Sequence, residues 1–262
     1  MSFESVPLRQ DWEQDLPRYW FDNSPFKTHL MNAFSSQFPE GEKFFVDSVM
    51  NFKSEIQDET LLQDMKIFSH QEHWHSFAHK QYNIWLDKIG VPVKQVEQLT
   101  YDTFRLIKEK DSQRACLGTT MCLEHLTTIV SEFLLSHPEV QRQMHPHFLK
   151  LWKWHSIEEL EHKSIAIDVY RRVGGNEPKR KMLMLITLGY FLKNLIQNTI
   201  LYLKVDGQLW RWRTLVDGVS FLFNFRNGLV PCLIIPFFKF FKDNYHPLNI
   251  SHQQLISNHA KI

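Results

Sequence analysis

A chain of 262 residues has room for one large domain or two small ones, and 43% hydrophobic residues can fill a sizeable core. Thirty Lys+Arg against 29 Asp+Glu leave a formal charge of +1, which excludes the basic excess of a general nucleic-acid binder. Cys116, Cys122 and Cys232 form no Cys-x-x-Cys pair, so the odd count reads as free thiols in a reducing compartment.

The opening MSFESVPLRQDWEQDLPRYW is charged and lacks a continuous apolar stretch; no secretory signal is expected, and the location reads as cytoplasmic. Residues 1–25 read as irregular, with Pro7, Pro17 and Pro25 as breakers. Ser24-Pro25 can open a short helix that reaches Phe38, and Pro39 and Gly41 are expected to interrupt it. From Glu42 to Lys53, Phe45, Val46, Val49 and Met50 recur at helical spacing. Asp58 to Asp87 reads as a long helix closed by Gly90-Val91-Pro92, and Val93 to Lys110 as a connecting helix. Ser112 to Leu135 is the next long helix. His137-Pro138 and Pro146 then break the path to a helix from about His147 to Val173, which Gly174-Gly175-Asn176 stops. Neither a solenoid repeat nor strand-like alternation is present, so the expected class is all-α. The expected organisation is a bundle over 26–175 with apolar-rich C-terminal helices over 176–262, packed on the bundle or at a membrane surface.

On these helices sits a pattern with chemical content: Glu42, then Glu72-x-x-His75, then Glu124, then Glu159-x-x-His162. Residues three apart share a helix face, so each Glu-x-x-His aims a carboxylate and an imidazole at one point. Four carboxylates and two histidines in this order are the ligand inventory of a dinuclear carboxylate-bridged metal site inside a four-helix bundle. Register supports it: Glu42 lies fifteen residues before Gln57 and Glu72 fifteen after, so an antiparallel pair turning there sets them level. A single Glu-x-x-His would be an ordinary surface pair. Two copies amid bulky apolar neighbours such as Trp74, Phe77, Leu123 and Leu160 are harder to read that way.

Other polar side chains crowd the same faces. His79 and His155 are candidates for additional ligands, supporting hydrogen-bond partners or proton shuttles. Glu158 competes with Glu159, but the three-residue interval to His162 favours Glu159. Glu161 is expected off the metal-facing side and His125 about 100° away from Glu124. Glu40, between Pro39 and Gly41, reads as a helix-start carboxylate. Thr127 and Thr128 are expected to bond backbone carbonyls.

Hard carboxylates bridge cations, each imidazole adds a neutral donor, and no thiolate is present; the set favours two iron ions, with manganese or a mixed pair as alternatives, over structural zinc. Such a pair can activate O2 or clamp a bridging hydroxide for hydrolysis. The stretches FPEGEKFF, QEHWHSFAHKQYN, LEHLTT and WHSIEELEHKSIAIDVY, with RYWFDNSPFKTHLMNAFS and NYHP, resemble the predicted metal-dependent hydrolases of the ferritin-like superfamily over nearly the whole chain. The resemblance implies a ferritin-like helical bundle, and places the ligands on Glu42, Glu72, His75, Glu124, Glu159 and His162.

The leading expectation from the ligand set is a di-iron enzyme that uses O2 and an external electron donor to oxidise a hydrophobic small molecule. The alternatives are a hydrolase using a metal-bridging hydroxide and a non-enzymatic ferritin-like metal-binding protein. In the C-terminal third, Met182 to Leu203 carries Lys193, Asn194, Gln197 and Asn198, and GLVPCLIIPFF over 228–238 is short, so neither reaches the ~20 clean residues of a bilayer span. Helices packed over the bundle are expected there. The other reading is peripheral contact with the inner face of a membrane through Trp210, Trp212, Phe221, Phe223, Phe237 and Phe238. A homodimer is also left open.

Overall fold

Ser24 ends the irregular N-terminal segment by accepting a hydrogen bond from the Lys27 backbone N–H, and Pro25 supplies the φ that a first helical turn needs. The computed structural model describes residues 7–259, so the first six residues of the expected irregular segment, the last three of the chain and part of the opening read for a signal lie outside the described residues. No strand occurs among the described residues.

The helix that Ser24 opens, α1 (Pro25–Met50), is continuous, which corrects the expected interruption at Pro39 and Gly41. Proline at position 39 leaves the Ser35 carbonyl without its usual helical donor. Asn83 Nδ2 donates to that carbonyl at 3.3 Å, and Ser76 Oγ donates to the Pro39 carbonyl at 3.2 Å. Tertiary contacts thus replace what proline removes. Glu40, half-buried inside the helix, is not a helix-start carboxylate.

Asp58 caps α2 (Glu59–Lys88) by accepting from the Thr60 and Leu61 N–H groups. Gly90, at φ 84°, turns the chain into α3 (Val93–Lys110), the helical part of the crossover. Ser112 caps α4 (Gln113–Ser136). The link to the next long helix contains α5 (Pro138–Gln141), and Gln141 Nε2 closes the end of α4 on the Leu134 and Leu135 carbonyls at 2.8 and 3.2 Å. The expected single helix from His147 to Val173 is two, α6 (Pro146–His162) and α7 (Ile165–Arg172). Helical bonding lapses at Lys163–Ser164, where Lys163 Nζ is anchored by the Ile250 carbonyl at 2.7 Å and His252 Nδ1 at 2.6 Å. After Gly174, at φ 81°, come α8 (Glu177–Val205), α9 (Trp212–Phe223), α10 (Leu229–Lys239) and the short α11 (Gln253–His259).

α1, α2, α4 and the α6–α7 segment pack on one another, α8 lies against α1 and α4, and α9 and α10 pack together on α1 and α4. Two large hydrophobic cores fill most of the interior, with a small third cluster at Leu135, Ile157 and Leu160. One holds Phe44, Phe68, Leu117, Met121 and Tyr170; the other holds Trp20, Tyr82, Leu86, Phe148 and Leu151. Each of the four long helical segments starts in one core and ends in the other. The buried polar residues sit where the helices cross between them, so apolar packing on both sides fixes their positions and keeps bulk water away. The N-terminal segment closes the second core, with Trp12 stacked on Tyr82 at 5.0 Å and Trp20 on Phe148 at 4.5 Å.

Candidate metal centre

α1 delivers Glu42, α2 delivers Glu72, His75 and His79, α4 delivers Glu124, and α6 delivers His155, Glu158, Glu159 and His162. All are buried. The structure brings the six sequence-derived residues together. Ligating atoms of Glu72, Glu124 and His162 lie within 4.8 Å of one another, and the same holds for Glu42, Glu72 and His75. Two more groups meeting this limit, His75 with His155 and Glu159, and Glu42 with His79 and His155, extend the cluster.

His162 Nε2 is 3.1 Å from Glu72 Oε1, 3.4 Å from Glu124 Oε2 and 3.6 Å from Glu159 Oε1. The same Glu159 oxygen is 3.3 Å from His155 Nε2 and 3.7 Å from His75 Nδ1, so it stands between the two histidine groups. His75 Nε2 lies 3.0 Å from Glu158 Oε2. Despite this crowding, both oxygens of Glu42, Glu72 and Glu124, both nitrogens of His75 and Nε2 of His162 make no hydrogen bond. Buried polar atoms without partners are costly. A converging set of carboxylate oxygens and imidazole nitrogens lacks donors, and cations would satisfy it; the residues present fit a carboxylate–histidine metal site.

Electrostatics point the same way. Burial, reinforced by neighbouring carboxylates, holds Glu42 and Glu124 well above the usual carboxylate range. Burial lifts Glu72 to about 7 against the pull of His162, and Glu158 to about 8. Burial also works to raise Glu159, but His162, His155 and His75 outweigh it and keep this carboxyl low. Burial lowers His75 to about 3 and drives His79 and His155 well down, so those three rings are neutral. His162 alone is held up, because Glu124, Glu159 and Glu72 overcome its burial.

Hydrogen bonds behind the cluster set which ring nitrogens face it. Gln71 Nε2 donates to Glu161 Oε2 at 2.9 Å, which turns Gln71 Oε1 toward His162 Nδ1 at 3.1 Å. Nδ1 must donate there, and Nε2 is the nitrogen directed at the carboxylates. On the other side, Asn83 Nδ2 donates to Glu97 Oε1 at 3.0 Å, so Asn83 Oδ1 accepts the Ser35 hydroxyl proton at 3.0 Å. Ser35 Oγ then accepts from His79 Nδ1 at 2.9 Å, and His79 Nε2 accepts from His155 Nδ1 at 3.1 Å. Both nitrogens of His79 are therefore engaged. The lone pair of His155 Nε2 faces a carboxylate oxygen, an arrangement that is repulsive without a cation between them.

Glu161 lies off the cluster as expected, but it orients Gln71, a residue the motif did not flag. Thr128 bonds the Glu124 carbonyl at 2.6 Å and Thr127 bonds it at 3.1 Å, both as expected. The Thr127 hydroxyl also donates to Glu159 Oε2 at 2.5 Å, a partner that spacing on one helix does not reveal. His125 stands apart, with Nδ1 on the Tyr245 hydroxyl at 3.2 Å. Gln71, next to Glu72, and Asn83, one helical turn after His79, were legible only as polar neighbours of ligand candidates, and Ser35, two turns before Glu42, carried no such signal. A narrow cavity of about 40 Å³ with apolar walls reaches the cluster at Thr127 and His155, and is lined further out by Phe34, Phe38, Phe221 and Leu229.

The model of a family described as "Predicted metal-dependent hydrolase" matches residues 7–251. The chain belongs to this family. No curated protein and no solved structure matches it. Family membership and the buried Glu/His groups agree on a metal-dependent enzyme and align with the hydrolytic alternative; nothing in them favours the oxidative reading.

Proposed function

We propose that this chain is a dinuclear metal-dependent hydrolase that cleaves an ester or amide bond in a hydrophobic substrate. The observation that carries this reading is the convergence of buried, partnerless carboxylate and imidazole atoms from four helical segments. Glu42, Glu72, His75, Glu124, Glu159 and His162 would hold the cations, and His155, presenting the Nε2 lone pair, is a seventh donor. His79 orients His155 and is not itself a ligand. The carboxylate–imidazole donors and the lack of a buried thiol among them suit iron or manganese. We read the surrounding helices as a ferritin-like bundle on the order and register of the ligand residues.

Bound cations supply Lewis acidity toward a carbonyl oxygen and a water of lowered pKa. The chain's own residues do the rest. Thr127 fixes one oxygen of Glu159, leaving the other at the centre of the cluster. Gln71 and the Asn83–Ser35–His79 chain hold two imidazoles in one tautomer and one orientation. Glu158 is the least buried carboxyl of the group, beside His75, and is placed to hand a proton to a leaving group. The apolar cavity at Thr127 and His155 would seat the acyl or alkyl portion of the substrate and exclude water.

Hydrolysis of p-nitrophenyl esters of graded acyl length, by protein reconstituted with iron or manganese under anaerobic conditions, tests the proposal. Turnover without O2, favouring longer acyl chains and lost on chelation, supports it. Substrate consumption that stops without O2 and resumes with O2 and a reductant would replace it with the oxidative reading.

A further inference from the structure

We propose that the outer face of α8, α9 and α10 docks on a lipid bilayer bearing anionic headgroups. Among the described residues, large exposed hydrophobic side chains outside this region are Phe77, Ile84, Leu99, Tyr101, Leu106 and Leu248, whereas nineteen lie between Met182 and Phe238. Monomeric soluble proteins rarely leave so many large apolar side chains uncovered in one part of the chain. On α8 the exposed positions 182, 185, 186, 190, 196 and 200 repeat at helical spacing and form one stripe. Beyond it, Trp210 is 84%, Trp212 76% and Phe225 97% exposed, at or just beyond the ends of α9.

Charge selects the occupant. Residues 178–242 hold ten Lys/Arg and two Asp/Glu, in a chain whose net charge is +1. Both acids are paired: Asp206 accepts from Arg18, Tyr19 and His29, and Asp217 accepts from Ser24 and lies 3.5 Å from Lys27 Nζ. Lys193, Lys204, Arg211, Arg213 and Arg226 are exposed and pair with no described carboxylate. A second copy related by a twofold axis would bring this basic face against itself. An anionic bilayer matches both properties, apolar bodies entering the acyl region and cations meeting headgroups. No helix among the described residues is long and apolar enough to cross a membrane, so the face lies on the bilayer and does not span it.

The docked face covers the route to the metal centre. Phe221 of α9 and Leu229 of α10 wall the cavity whose inner end is Thr127 and His155. A substrate dissolved in the bilayer would reach the cluster by parting these two helices without crossing water; this consequence, unlike the docking, rests on the hydrolase reading.

The test uses the full chain loaded with metal, and vesicles of phosphatidylcholine alone or mixed with phosphatidylglycerol. The protein should sediment with the mixed vesicles and be released by salt. The triple variant Arg211→Glu, Arg213→Glu, Arg226→Glu should bind them more than about tenfold more weakly. Trp210→Ser with Phe225→Ser should lose binding while keeping the wild-type metal content and melting temperature, and the single Phe225→Ser should show a partial loss if the pair misfolds. Wild-type protein that stays in the supernatant with both vesicles overturns the proposal, as does a dimer in velocity sedimentation that Trp210→Ser and Phe225→Ser dissociates. Because no substrate is involved, failure of the hydrolase reading leaves this result standing.

Discussion

Replacing Glu72 by Gln should change stability in opposite directions with and without metal. In the metal-free chain burial lifts the Glu72 carboxyl from 4.5 to about 7. A carboxyl raised in this way binds more protons folded than unfolded, so it opposes folding increasingly from about pH 4.5 up to its folded value. At pH 7 the difference corresponds to about 3 kcal/mol of lost stability. The isosteric amide cannot ionise and escapes that penalty. It also gives up the His162 contact at 3.1 Å, so a net gain of about 1–3 kcal/mol is expected for metal-free protein. In loaded protein the same change removes the charge of a carboxylate common to two of the ligand groups, and the stabilisation that follows from binding should shrink with the affinity. Urea denaturation at pH 7, with chelator and with saturating metal, measures both arms. Glu72→Gln destabilising the metal-free protein as much as the loaded protein would mean that the chain's own groups, not a cation, satisfy this carboxylate.

Gln71→Ala frees the His162 ring and should weaken metal binding by about 10–100-fold in a competition titration, with Glu161→Ala giving a smaller loss in the same direction. His155→Ala should lower metal content as severely as His162→Ala, whereas Ser35→Ala, which only loosens the hydrogen-bonded chain behind it, should leave the site occupied at saturating metal. Asp206 holds the N-terminal segment to the end of α8, and Arg18 and His29 keep its carboxyl low against burial. A depressed carboxyl stabilises above its unfolded value and stops doing so as pH falls through its folded one. Asp206→Asn should therefore cost about 1–3 kcal/mol at neutral pH and flatten the acid limb of a melting-temperature profile; an unchanged limb would show that the contact contributes nothing.

Helix positions were largely readable from spacing, because each long helix carries its own apolar repeat and its own cap, as Asp58 and Ser112 do. The motif was readable too, since Glu-x-x-His encodes a shared face without knowledge of the partners. What local pattern could not supply was tertiary rescue. Pro39 should break a helix on its own terms, and only the Asn83 amide, 44 residues on, makes the continuous α1 tenable. The break at Lys163 likewise depends on residues 250–252. The roles of Gln71, Ser35 and Thr127 depend on which side chains face them across helices, which sequence spacing on one helix does not encode.

Metal content after reconstitution bears most directly on the central claim. Chelator-stripped protein incubated anaerobically with iron or manganese, desalted and assayed for metal and protein, should retain close to two ions per chain, with the content collapsing in Glu159→Ala and His162→Ala. Wild-type protein that folds but retains no ion under any of these conditions would contradict it.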